Sequence, residues 1–260
     1  MEHKFYKYQG AGNDFILLDN RDSSFREDTP YISNLCDRRF GIGADGLMLL
    51  ENSEEADFYM RYFNSDGKES TMCGNGGRCI VAFARKLGII EKDTVFKAVD
   101  GLHKAKILDT RIVSLQMQNI DSFSKHNHDY FLDTGSPHYV TFVDDIRSTR
   151  VYERGKKIRE DEEIAPEGTN VNFVQIDGEG KISLRTYERG VENETFACGT
   201  GAVASAVCTY LKTKSDKTSY LINVVGGKLI VDFEVTGEKH FRNIWLTGMA
   251  EYVFEGTIEL

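Results

Sequence analysis

Two stretches of the chain share one hydrophobic rhythm. After Cys73, apolar residues recur at Ile80, Val81, Phe83, Ala84 and Leu87; after Cys198 they recur at Ala202, Val203, Ala206, Val207, Tyr210 and Leu211. These spacings mark one face of a helix and predict a helix starting at each cysteine. Around them the pattern alternates with period two, which predicts strands. In the first half these cover 4–9, 14–20, 57–63, 94–99, 102–108 and 112–117. In the second half they cover 130–133, 139–143, 171–176, 182–187, 219–225, 228–235 and 243–247. Residues 30–39 and part of 145–163 read as further helical segments. The run 250–260 alternates and is expected to close one of two sheets. Turns fall at Gly10-Ala11-Gly12-Asn13-Asp14, Asn64-Ser65-Asp66-Gly67, Asp100-Gly101, Asp109-Thr110 and Asp177-Gly178-Glu179-Gly180.

Each half therefore runs strands, a cysteine-headed helix, then more strands. The expected fold class is α+β: two pseudo-symmetric domains, each a mostly antiparallel sheet wrapped around a central helix, without βαβ alternation. The polar stretch 119–129 is the expected linker. The expected domains are 1–118 with 250–260, and 119–249.

Both helices open on Cys-Gly-x-Gly: Met72-Cys73-Gly74-Asn75-Gly76-Gly77-Arg78-Cys79 and Ala197-Cys198-Gly199-Thr200-Gly201-Ala202. A cysteine at a helix start meets exposed backbone N–H groups and the positive end of the dipole, which favours thiolate. The glycines let the backbone approach an anion closely. One such element is a candidate nucleophile or anion site; alone, it would more often be a Gly-rich turn with a chance cysteine. The repeat in a single chain favours two half-sites serving one substrate.

Bulk properties narrow the classes. The 260 residues are 40% hydrophobic and 28% charged, as in a globular protein. A net charge of −9 disfavours nucleic acid and acidic membrane surfaces as partners. No apolar run approaches the roughly 20 residues of a membrane span, and Met1 to Tyr8 lacks a signal-peptide core. A cytoplasmic location is the default expectation. Five cysteines, an odd number without C-x-x-C, fit reduced thiols. His126 and His128 lie in a polar stretch and read as a solvated loop, so no metal site is expected. Gly41-Ile42-Gly43-Ala44-Asp45-Gly46 matches G-x-G-x-x-G literally. A charged segment precedes it and a strand-like run, Leu47 to Leu50, follows; the nucleotide reading is rejected and the segment read as a structural loop.

The ordered set Gly10 to Phe15, Phe63 to Gly67, Met72 to Cys79, Ser136-Pro137-His138, Thr169-Asn170-Val171, Tyr187-Glu188-Arg189-Gly190 and Ala197 to Ala202 closely resembles the diaminopimelate epimerase family. The resemblance spans nearly the whole chain. It implies cofactor-independent interconversion of LL- and meso-diaminopimelate, in lysine and cell-wall precursor synthesis. Cys73 and Cys198 would be the catalytic pair on opposite faces of the α-carbon. It implies substrate contacts from Asn13, Asn64, Asn170, Glu188 and Arg189. The backbone amides of Gly74, Asn75, Gly199 and Thr200 are the candidate carboxylate donors. His138 near Cys198, and Glu188 near Cys73, would adjust thiol protonation.

Ser136 stands where many family members carry Asn, so one substrate contact would be shortened or replaced by water. The loop from Glu188 to Cys198 looks one residue longer than usual, at Glu192-Asn193-Glu194, which leaves the role of Glu194 open. Cys36, Cys79 and Cys208 read as structural. The expected partner is a small amino acid; a homodimer is one expectation, and the sequence leaves the oligomer open.

Three rivals stand beside this reading. A proline racemase or hydroxyproline epimerase would use the same two-cysteine logic, but those relatives tend to carry histidine where Asn75 stands. A thiol redox protein would pair Cys73 with Cys198. A non-enzymatic amino-acid-binding protein would give no reason for two activated thiols.

Overall fold

The structure, a computed structural model, describes residues 2–259. The chain divides into two compact units, one running through Leu115 and resuming at Gly248, the other spanning Gln116–Thr247.

The first unit holds β1 (Glu2–Gly10), β2 (Asn13–Asp19), α1 (Thr29–Cys36), β3 (Gly46–Glu51), β4 (Phe58–Asn64), β5 (Glu69–Ser70), α2 (Gly74–Lys86), β6 (Asp93–Ala98), β7 (Gly101–Asp109) and β8 (Ile112–Gln116). The second holds β9 (Ser124–His126), β10 (Asp129–Asp133), β11 (Pro137–Phe142), α3 (Val151–Arg159), β12 (Asn170–Gly178), β13 (Lys181–Glu188), β14 (Asn193–Thr195), α4 (Gly199–Thr213), β15 (Ser219–Val224) and β16 (Gly227–Gly237). The chain then leaves along β17 (His240–Met249), and β18 (Glu251–Glu259) belongs to the first unit.

One connectivity is used twice. In the first unit β1 pairs antiparallel with β2, β2 parallel with β3, β3 antiparallel with β4, β4 parallel with β6, and β6 antiparallel with β7. In the second, β10–β11, β11–β12, β12–β13, β13–β15 and β15–β16 repeat that order of antiparallel and parallel pairs. An outer strand completes each set: β18 lies antiparallel to β1, and β9 antiparallel to β10.

Every helix thus bridges two parallel strands, which corrects the expectation of no βαβ units. The strands flanking α1 explain it. Phe15 to Leu18 and Leu47 to Leu50 are each a continuous buried run, the mark of a strand covered on both faces. Alternation in the neighbouring strands masked that signal. The linker expectation at 119–129 also fails. Ile120 bridges to Phe241, and Ser124–His126 forms β9, inside the second unit. β9 is exposed at all three positions, so an edge strand carried the composition of a linker.

The local chemistry is legible where the chain turns. Ala11 (φ 54°) and Gly12 (φ 83°) make the two-residue link between β1 and β2. Two positive-φ residues in succession suit a hairpin of opposite hand to the common turns, and Asn13 opens β2. Asp28 caps α1 by accepting a hydrogen bond from the Tyr31 amide at 3.2 Å, with Pro30 in its first turn. α2 and α4 differ from ordinary surface helices. Residues Gly74 to Val81 of α2 are all buried, as are Gly201 to Thr209 of α4. Each packs inside its own unit, α2 on β1, β2, β3 and β7, α4 on β10 to β13, β15 and β16.

α3 lies on β12 and β13 through Gly155. A Cβ at Gly155 would come within 2.7 Å of Tyr187 Cγ. Helix propensity alone favours alanine here by about 1 kcal/mol. The close contact reverses the sign, and Gly155→Ala is expected to destabilise the protein by about 1–3 kcal/mol. Urea unfolding of the two proteins checks it, and a stabilised variant would show that the helix simply shifts outward.

Candidate functional site

Cys73 is the residue immediately before α2 and Cys198 the residue immediately before α4. Both have extended backbone, with φ −94°, ψ 131° and φ −115°, ψ 113°. Their carbonyls accept the first helical bonds, from Gly77 N at 2.7 Å and Ala202 N at 2.9 Å. The amides of the first turn, which include Gly74 and Asn75 in one unit and Gly199 and Thr200 in the other, have no acceptor within their own helix. Such amides attract negative charge, aided by the helix dipole.

In the first unit, Asn13, Cys73 and Asn75 form one cluster. Asn13 Oδ1 accepts from Cys73 Sγ at 3.7 Å and from Asn75 Nδ2 at 3.3 Å. Asn75 Oδ1 accepts from Arg78 Nη2 at 2.8 Å, and Arg78 Nη1 donates to the Gly74 carbonyl at 3.1 Å. Arg78 is fully buried and forms no ion pair among the described residues; burial lowers its pKa, while charge on Cys79 and Cys73 would raise it. Asn64 ends β4, exposed and opposite Gly46. Its carbonyl accepts from Gly67 N at 2.9 Å.

In the second unit the expected residues are joined by one hydrogen-bond chain. Asn172 Nδ2 donates to the Tyr139 carbonyl at 3.1 Å, which fixes its amide, and also to His138 Nδ1 at 3.0 Å. His138 therefore carries its proton on Nε2 and donates to Ser136 Oγ at 3.0 Å. Asn170 is fixed the same way: its Oδ1 accepts from the Arg189 amide at 2.9 Å, and its Nδ2 donates to the Pro137 carbonyl at 3.1 Å and to Ser136 Oγ at 3.3 Å. Ser136 Oγ then meets Thr200 Oγ1 at 3.3 Å, and Thr200 Oγ1 meets Cys198 Sγ at 3.4 Å. His138 thus connects to Cys198 through two hydroxyls.

Glu188 and Arg189 follow each other at the end of β13. Glu188 Oε2 accepts from Thr195 Oγ1 at 2.9 Å. Arg189 Nη1 donates to the carbonyls of Glu167 at 3.3 Å and Gly168 at 3.4 Å. Glu194, whose role the sequence leaves open, forms a two-bond ion pair with Arg185 at 2.6 and 2.7 Å, so it braces the β13–β14 hairpin. The loop between Glu188 and Cys198 turns at Gly190 (φ 92°) and Glu192 (φ 55°).

Burial takes in every cysteine but Cys73, which is half-buried. It pushes the Cys36 and Cys79 thiols up to about 12 and raises Cys208 well above the ordinary value. These three are inert thiols at neutral pH. Among the described residues no His, Cys, Asp and Glu cluster could hold a metal ion, and no helix is long and apolar enough to cross a membrane.

The sequence reading passed over Asp45, Arg78 and Asn172. The alternation Asn170-Val171-Asn172 was the available signal for the last, since residues two apart in a strand share a face. Arg78 had the signal of a charged residue inside the otherwise uncharged first turns of α2. Asp45 lay in the loop read as purely structural.

His138 links the site to stability. Burial, followed by the nearby Arg189 charge, pushes its pKa down to about 3, against an ordinary 6.5. Below pH 6.5 the unfolded chain binds a proton that the folded protein refuses. Stability therefore rises with pH between about 3 and 6.5, at up to about 1.4 kcal/mol per pH unit from this residue. The contribution is intact above 6.5 and is lost as pH falls. His138→Gln should flatten the pH dependence of the urea midpoint between pH 7 and 5. An unchanged slope would mean that His138 is not the titrating group.

Comparison with known proteins bears on identity. The diaminopimelate epimerase family model matches residues 5–118 and 130–253. A diaminopimelate epimerase from Flavobacterium psychrophilum is 53% identical over 256 residues, covering 98% of this chain and 100% of the relative. One from Chlorobaculum tepidum is 42% identical over 259 residues, covering 96% and 99%. Among solved structures, a PhzF-family phenazine biosynthesis protein from Bacillus anthracis superposes with a TM-score of 0.76 at 16% identity, covering 100% of both chains. A hydroxyproline epimerase from Agrobacterium vitis gives 0.71 at 15%, covering 99% of this chain and 91% of that one. At those identities the two structures speak for the fold. Coverage and identity of the sequence matches leave one assignment: the chain belongs to the diaminopimelate epimerase family.

Proposed function

We propose that this epimerase interconverts LL- and meso-diaminopimelate by a two-base mechanism in which Cys73 and Cys198 act on opposite faces of the α-carbon. The observation that carries the reading is the equivalence of the two cysteines: each stands at the start of the buried helix of its own repeat. Inverting a stereocentre through proton exchange requires a base on one face and an acid on the other. A thiolate and a thiol satisfy this, and each turnover exchanges their states. Lysine and cell-wall precursor synthesis are the processes this reaction would serve.

The α-proton of an amino acid is weakly acidic, so negative charge developing at the carbon and its carboxylate must be stabilised. The amides of Gly74, Asn75, Gly199 and Thr200 are the proposed donors. They are already aligned by their helices, so they need no reorganisation as charge builds. Asn13, Asn64 and Asn170 are proposed to hold the polar groups of the substrate, Arg189 its distal carboxylate through paired N–H bonds, and Glu188 its ammonium. Ser136 receives hydrogen bonds from both His138 and Asn170. It is proposed to serve Thr200 and Cys198 instead of reaching substrate directly.

The rival substrates are prolines, and the rival chemistry is thiol redox exchange. Incubating the enzyme with LL-diaminopimelate in heavy water should place deuterium at the α-position without added cofactor, and proline should remain unlabelled. Cys73→Ala and Cys198→Ala should each lower turnover at least about a thousandfold, since each removes one proton-transfer partner. Near-normal turnover in either variant would overturn the two-base reading.

A further inference from the structure

Asn13 can present either end of its amide to Cys73, and the two ends are chemical opposites: the oxygen accepts, the nitrogen donates. What decides between them lies behind it. Asn13 Nδ2 donates to Asp45 Oδ2 at 2.5 Å. An ionised carboxylate accepts only, so this bond turns the Asn13 oxygen toward Cys73 Sγ and Asn75 Nδ2. Asn75 agrees, because Arg78 only donates and so claims its oxygen.

Asp45 is itself held. Its Oδ2 also accepts from the Asp14 amide at 3.2 Å, its Oδ1 from Arg38 Nη2 at 2.7 Å, and its own amide donates to the Asp14 carbonyl at 2.9 Å. Arg38 bridges to both Asp14 oxygens at 3.0 and 2.6 Å. The buried Lys7 pairs with Asp14 at 2.7 Å and donates to the Gly43 carbonyl. Burial works against the Asp14 charge, yet bonds from Arg38 and Lys7 hold its pKa at about 2. Two carboxylates and two cations thus form a charge-balanced brace behind Asn13, and two of its contacts, Gly43 and Asp45, lie in the loop that mimics a nucleotide fingerprint.

We infer that Asp45 is a positioning residue for the epimerisation, acting through Asn13 by fixing which end of its amide faces Cys73. This rests on the reading that Asn13 contacts substrate. As a bulk stabiliser Asp45 is a poor candidate: its side chain is 40% exposed, and partly exposed ion pairs contribute little.

A double-mutant cycle tests it, alongside a measurement independent of activity. Asp45→Ala should lower kcat/KM by about 10- to 100-fold, the scale of a misplaced positioning group, with little change in Tm. In an Asn13→Ala background the same change should have no further effect, because its only route is gone. Asp45→Asn, whose oxygen can still accept from Asn13, should restore most of the activity. Nuclear magnetic resonance of the Asn13 side-chain amide should show its protons moving upfield in Asp45→Ala and holding in Asp45→Asn. Multiplying defects in the cycle, or an Asn13 signal unmoved in Asp45→Ala, would overturn the inference. If that signal moves while the wild-type protein exchanges no α-proton of diaminopimelate, the inference stands as a structural statement and the substrate reading alone fails.

Discussion

A helix buried along its sides has only its ends with which to meet a ligand. That constraint governs α2 and α4. Their first turns are packed on all sides by small residues and close neighbours: a Cβ at Gly76 would collide with Met48, and one at Gly201 with Asn172. Glycine there is a packing requirement as much as a means of approaching an anion. The consequence is a rigid start to each helix, with a cysteine at its outermost position and a row of amides behind it. Rigid donors are worth more than mobile ones, since no free energy is spent aligning them when charge appears.

The polar surroundings of the two helix starts differ although the backbone frame repeats. Around Cys73 the contacts are amides, Asn13 and Asn75, oriented by charged residues. Around Cys198 they are hydroxyls, Thr200 and Ser136, oriented by a neutral histidine and two asparagines tied to backbone. In both, each ambiguous group is resolved by a neighbour that can only give or only take a hydrogen bond. Repetition has kept the backbone frame and left the side chains around each sulfur free to specialise.

Much of this was legible in the chain. The apolar spacing after Cys73 and Cys198 predicted both buried helices, and alternation predicted most strands to within a few residues. The four parallel pairings were not legible, because strand order is a property of long-range contacts and the alternating pattern of adjacent strands reads as a meander. β9 was hidden by its exposure on both faces. The motifs marked Asn13, Cys73, His138 and Cys198 as notable, but not the groups that orient them. Asp45 bonds Asn13 across 32 residues of chain and Asn172 bonds His138 across 34, which no local spacing encodes.

β18 has a further bearing, on how the protein is made. Its pairing runs from Glu2 opposite Glu259 to Gln9 opposite Glu251, 242 residues apart in the chain, so during synthesis β1 waits for a strand made long after it. Local hairpins form in microseconds, whereas contacts this distant in sequence come late. The second unit lies wholly between these strands and can collapse while β1 is still missing its neighbour. During synthesis the open flank of β1 is a strand edge available to other chains. Chaperone dependence and losses to aggregation should therefore trace to β1, far from the chemistry.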